Sequence, residues 1–169
     1  MLTVLVLVIS LLTQARAGDN ATTAVRTTCP EGFMPLGTGC YCYFAMKETY
    51  DKAREICQFL PGDNVDLAVF DSHAGDATFI STFAINNEIS SLWVGSTDQG
   101  HEGYWTWVDG RPLHPESPYW NITMPRGSTA YNCGIISQVI EKSVRMRLMD
   151  SQCTTAYPFI CQLGLNPLK

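Results

Sequence analysis

Seven cysteines constrain this chain more than any other feature: Cys29, Cys40, Cys42, Cys57, Cys133, Cys153 and Cys161. All of them follow an apolar leader. Leu2 to Leu12 is apolar apart from Thr3 and Ser10, too short to span a bilayer, and Ala15-Arg16-Ala17 puts small residues at the two cleavage positions. Residues 1–17 are therefore expected to be a signal peptide, with a secreted, extracellular chain starting at Gly18. Export to an oxidising compartment implies that the cysteines pair as disulfides. Their spacing leaves the pairing open, and the odd number leaves one over. A zinc site would need Cys-x-x-Cys or Cys-x-x-x-His units. Cys40-x-Cys42 is the single close pair, and His73, His101 and His114 are near no cysteine.

The rest of the composition narrows the classes. The net charge is −5, and loss of Arg16 with the leader makes it more negative. That excludes a basic footprint for nucleic acid. Apolar residues make up 46% of the chain, enough for one packed core. No second run is apolar enough for a membrane span.

Residues 18–28 read as a Thr-rich lead with a glycosylation sequon at Asn20-Ala21-Thr22. Cys29-Pro30-Glu31-Gly32 opens a folded domain over 29–162 as a turn, and residues 163–169 form a tail. Tyr41 and Tyr43 to Ala45 suggest an early strand. Tyr50, Ala53, Cys57 and Leu60 share one helical face, stopped by Pro61-Gly62. A second helix is expected from about Ala74 to Asn86, capped by Asp71 or Ser72, with Phe79, Ile80, Phe83 and Ala84 as its apolar stripe. After residue 90 the pattern changes to short strands: Leu92 to Gly95, Tyr104 to Trp107 closed by Asp109-Gly110, Cys133 to Ser137, Val144 to Met149, and Tyr157 to Gln162. Between them, residues 111–131 hold Pro112, Pro115, Pro118 and Pro125 without periodicity. Such a long irregular loop is usually functional. The fold class is α+β, two helices and a mainly antiparallel sheet with one long loop.

A series of ordered landmarks resembles the C-type lectin-like domain family from Cys29 to Cys161. Cys29-Pro30-x-Gly32-Phe33 begins it, followed by Cys40-Tyr41-x-Tyr43. Tyr50-x-x-Ala53-x-x-x-Cys57 resembles the first helix, with Tyr for the usual Trp. Leu67-Ala68 and Leu92-Trp93-Val94-Gly95 resemble the family's inner strands. Glu102-Gly103-x-Trp105-x-Trp107-x-Asp109-Gly110 is the most specific stretch. Trp120, Cys133, Asp150-x-x-Cys153 and Phe159-Ile160-Cys161 complete the series. The resemblance implies the bridges Cys29–Cys40, Cys57–Cys161 and Cys133–Cys153. Cys42 is then unpaired, as a lone thiol or as the link of a disulfide dimer.

Sugar-binding members of that family hold calcium with a Glu-Pro-Asn or Gln-Pro-Asp triplet, an acid two residues before the next cysteine, and an Asn-Asp pair. Calcium requires about 6–8 oxygens. Here the triplet reads Met124-Pro125-Arg126, the acid is replaced by Tyr131, and the pair reads Met149-Asp150. One carboxylate is left, and Arg126 would repel a cation. The sequence leaves open whether Met124-Pro125 is cis or trans. The family's second calcium site is represented by Asp98 and Glu102, with poor partners near Gly127 and Asn132, so weak calcium binding is the most that site would give. Arg145 and Arg147, alternating with Val144, Met146 and Leu148, would form a basic patch with Arg126 and Lys142, suited to sulfate or phosphate. A second sequon, Asn121-Ile122-Thr123, falls in the long loop.

No nucleophile elbow, His-Glu-x-x-His or phosphate-cradling loop is present, so no catalytic residue and no enzyme is expected. Two readings of function follow. One is a secreted lectin of the innate-immune kind, recognising microbial or host surface glycans. The other is a lectin-like module that binds a protein or an anionic surface without calcium. A binder of mineral or ice surfaces is a third use of such a fold.

Overall fold

The computed structural model describes residues 28–70, 75–138 and 146–165. The leader, Asn20, the Asp71/Ser72 cap, His73, Lys142, Val144 and Arg145 lie outside these residues.

The cysteine-rich start folds as a turn, with Phe33 N donating to Pro30 O at 3.1 Å. It continues into β1 (Met34–Leu36) and β2 (Gly39–Glu48), a hairpin of which only the second strand was expected. Then come α1 (Tyr50–Gln58), β3 (Asp66–Leu67), α2 (Gly75–Asn86), β4 (Ser91–Thr97), β5 (Thr106–Trp107), β6 (Cys133–Gln138), β7 (Met146–Ser151) and β8 (Tyr157–Leu163). One sheet runs in the order β1-β2-β8-β4-β6-β7, with β3 added to β8 and β5 to β4. All its pairs are antiparallel except β4 with β8, where Trp93 faces Phe159.

The sheet buries both faces, and alternation along each strand sorts its residues between them. On the α1 side lie Tyr50, Ala53 and Cys57 with Trp93, Ile135, Phe159 and Cys161. On the α2 side lie Ile80 and Ala84 with Leu92, Val94, Trp105, Trp107, Trp120, Ile136 and Ile160. β4 is thus apolar at consecutive positions, as strands covered on both faces are. Trp93 anchors it: its indole N–H donates to Glu48 O at 2.8 Å, and Tyr50 and Tyr157 meet its ring edge-on. Gly95 follows where nothing larger fits. A Cβ there would come within 2.6 Å of both the Leu67 carbonyl oxygen and Val108 Cγ2.

Three sequence expectations are corrected. Phe79 does not join the α2 stripe. It is 45% exposed and lies over Gly37, while Ile80 and Ala84 are buried. Tyr104 is outside β5 and 65% exposed, because only Thr106 and Trp107 pair with β4. Leu163 is not tail but the last residue of β8, and Leu165 beyond it is buried in the core.

Disulfides join Cys29 to Cys40, Cys57 to Cys161 and Cys133 to Cys153. Cys57–Cys161 ties α1 to β8 across a sequence separation of 104. Cys42 is a free, half-buried thiol in β2, directly opposite Cys161. Among the described residues no helix is long and apolar enough to cross a membrane.

Replacing both Cys57 and Cys161 by Ala is expected to lower the unfolding free energy by about 4–5 kcal/mol, the loop-entropy worth of so long a closure, as read from guanidinium titration. Burial pushes the Cys42 thiol above its ordinary 9.0. Its thiolate is therefore scarce at neutral pH, and iodoacetamide should label the native protein slowly there. The labelling rate, followed by mass spectrometry, should still be rising beyond the pH at which the unfolded chain has levelled off.

Candidate functional site

The irregular segment after β5 is fastened to the outer edge of β7. Asn121 N donates to Leu148 O, and Leu148 N to Tyr119 O, each at 2.9 Å. The buried Trp120 lies between them, its indole N–H on His114 O at 3.2 Å. The chain then turns back through a cis Met124–Pro125 bond and Gly127, whose φ is +63°. That turn delivers Arg126 to Asp150 near the end of β7.

Asp150 faces Gly134 of β6. Because Gly134 has no side chain, Ser96 of β4 reaches into the space next to it, where a Cβ would collide with Ser96 Oγ. The Asp150 side chain is 0% exposed. A buried carboxylate without compensation is costly, and Arg126 supplies the compensation. The Arg126 backbone N–H donates to Oδ2 at 2.6 Å, and Nε donates to Oδ1 at 2.7 Å. Nη2 donates to the backbone carbonyl of Asp150. The guanidinium carbon lies 3.6 Å from the centroid of the Tyr131 ring, a cation–π contact. The side chain still keeps 39% of its surface exposed, so guanidinium hydrogens remain available to a ligand.

These residues do not fit calcium at the position of the family triplet. Both Asp150 oxygens accept from Arg126, the triplet position before Pro125 holds the thioether of Met124, Met149 projects to the other face of β7, and a fixed positive charge stands beside the carboxylate. Beyond the pair, Asp98 is buried. Its Oδ2 accepts from Gly103 N at 2.8 Å, while its Oδ1 and Asn132 Oδ1 are enclosed with no hydrogen-bond partner among the described residues. Burial raises the Asp98 carboxyl above its ordinary value and the charge of Asp150 raises it further. Glu102 is raised too, by desolvation and then by Asp98 and Asp150. The negative charges of this corner therefore sense one another, and Arg126 is the cation among them. Among the described residues no three His, Cys, Asp or Glu side chains converge as a metal cage. Asp98, Asn132 and the exposed Glu102, with Gly127 contributing no side chain, supply too few oxygens for calcium.

The structure brings the Met124-Pro125-Arg126 turn and Tyr131 to Asp150, whereas Met149, one residue back on β7, projects to the other face and packs against the α1-side core. Of the expected basic patch, the two described members, Arg126 and Arg147, are engaged with different partners. Arg126 is committed to Asp150, and Arg147, three residues back on β7, projects to the opposite face. There its Nη1 donates to Pro118 O at 3.0 Å. Arg145 lies outside the described residues. The sequence had presented Arg126 as a repellent of cations, whereas its role is that of a partner. A lone acid and a lone base at two positions of one degenerate ligand set are the signal that pointed there. Ser96 and Gly134 carried no sequence signal.

The family model for the Lectin C-type domain matches residues 46–163. Human C-type lectin domain family 17, member A is 31% identical over 115 residues, a match covering 62% of this chain but 29% of that longer protein. The alpha-N-acetylgalactosamine-specific lectin of Patiria pectinifera is 25% identical over 143 residues, 80% of this chain and 83% of its own. Among solved structures, a calcium-independent type II antifreeze protein superimposes with a TM-score of 0.64 at 23% identity, covering 81% of this chain and 95% of that one.

Replacing Arg126 by Ala is expected to destabilise the protein by about 3 kcal/mol, the low end for breaking a buried pair because Arg126 is partly exposed. With Asp150→Asn already in place, the same replacement should cost much less. A double-mutant cycle by chemical denaturation measures the difference.

Proposed function

The chain belongs to the Lectin C-type domain family, and on that premise we propose that it is a secreted, non-catalytic recognition protein that binds surface carbohydrate without calcium. Members of the family are binding domains, and the α-N-acetylgalactosamine-specific lectin among the relatives is named for a sugar ligand. The apolar leader and the three disulfides support secretion.

One observation carries the calcium-independent reading: Arg126 donates to both oxygens of Asp150, the single carboxylate left in the family's ligand set. The long-loop turn is held by a tethered cation in place of a dissociable one. The presence of a calcium-independent protein among the fold neighbours supports the same view, since the fold exists without the ion. The exposed part of the Arg126 guanidinium favours ligands rich in carboxylate or sulfate oxygens, which accept charge-assisted hydrogen bonds. Microbial or host glycans bearing such groups are the ligand class of this reading, a role of the innate-recognition kind.

The test is binding to an array of neutral and acidic glycans, with calcium and then with EDTA. Binding is expected to be confined to acidic glycans and equal in the two conditions, with the melting temperature unchanged by calcium. Binding abolished by EDTA would overturn the reading. Absence of any glycan binding would shift the function to a protein partner on the same domain.

A further inference from the structure

Beside β7, on the α2 side of the sheet, a groove of about 490 Å³ runs between α2, the long loop and strands β6 and β7, with Arg147 at its margin. That volume is within the range of small-molecule sites, about 300–1,000 Å³. Its floor is apolar: Phe70 and Leu148 belong to the core, and Tyr119 meets Phe70 edge-on with ring centroids 5.5 Å apart. Its rim is polar, with Ser81 and Thr82 of α2 on one side. On the other side stands Arg147. Its Nη1 donates to Pro118 O, and it forms no ion pair among the described residues. The other arginines of known setting differ: Arg54, Arg111 and Arg126 each face an aspartate. Arg147 is thus a positive charge held in place by a backbone carbonyl, beside an apolar floor, on a chain of net charge −5.

We propose that this groove binds a small amphipathic acid, a single apolar chain or ring ending in a carboxylate or sulfate, with the head on Arg147 and the tail on Phe70, Tyr119 and Leu148. The acid head follows from a guanidinium with no ion pair among the described residues, which has four N–H donors left beyond the one on Pro118 O. The apolar tail follows from the floor. The size follows from the groove, whose volume suits a single short chain or ring. The acidic chain as a whole gives anions no general attraction, so selectivity for an acid rests on the one guanidinium. This site is separate from the Arg126–Asp150 corner, and either can fail without the other.

The experiment titrates the protein with octanoate, 1-octanol and octylamine as monomers, followed by amide NMR shifts. Octanoate is expected to bind saturably, with the largest shifts at Phe70, Tyr119 and Thr82, more tightly than octanol and far more tightly than octylamine. Arg147→Gln should weaken octanoate about tenfold or more, the worth of one charge-assisted hydrogen bond, and leave octanol unchanged. Arg147→Lys should restore part of the loss. Thr82→Trp, on the exposed side of α2, should block both ligands while the fold persists. No saturable octanoate binding would overturn the proposal, as would octanoate no tighter than octanol, or shifts centred on Arg126. Binding to phosphatidic acid vesicles in the absence of octanoate binding would also overturn it, since the acid would then be read at a lipid surface and not in the groove.

Discussion

Strand β4 is packed on both faces, with Leu92 and Val94 in the α2-side core and Trp93 in the α1-side core, so its backbone has little freedom to shift. Everything beside it takes its position from that strand. β8 pairs along one edge and β6 along the other, and Gly95 admits the Leu67 carbonyl at a distance no side chain tolerates. The next residues of β4 and its exit, Ser96 and Asp98, are carried by this rigidity into the corner where Gly134 and Asp150 lie. The candidate site is thus built on the end of the most constrained element in the molecule, as a site with precise geometry must be.

The electrostatics of that corner follow from burial. Asp150 is wholly enclosed, Asp98 nearly so, and Glu102 stands outside with both charges in view. Two routes could balance such a group: a dissociable ion, or a cation fixed to the chain. Arg126 is the second. Its entropy of association was largely lost when the loop folded, so its occupancy does not depend on an external concentration. The same attachment limits it. A guanidinium already spending Nε and Nη2 on Asp150 has fewer donors left for a ligand, and its coordination cannot be completed by sugar hydroxyls in the manner of a metal.

Much of this frame was legible in the sequence. The continuous apolar run Leu92-Trp93-Val94-Gly95 announced a strand covered on both faces, and the spacing of Tyr50, Ala53 and Cys57 announced the buried side of α1. Phe79 misled because hydrophobicity was taken for burial, when α2 turns only Ile80 and Ala84 fully inward. Tyr104 misled for a similar reason: an aromatic next to a strand need not be in it. The pairing of Arg126 with Asp150 had no local signature at all. It joins residues 24 apart through a loop without periodicity, and only the turn at Met124–Pro125 and Gly127 brings them together.

Arg126 and Arg147 show how little residue type alone decides. Both are arginines, one in the long loop and one in β7, and the sequence had grouped them with Arg145 and Lys142 in one basic patch. The pleat and the loop separate them, one onto a buried carboxylate and the other onto a backbone carbonyl. A guanidinium neutralised by aspartate holds the structure together first and offers a ligand only its remaining donors. One resting on a carbonyl keeps its full charge. Two places along the same strand therefore present different chemistries, and any account of recognition by this domain has to say which of them the ligand meets.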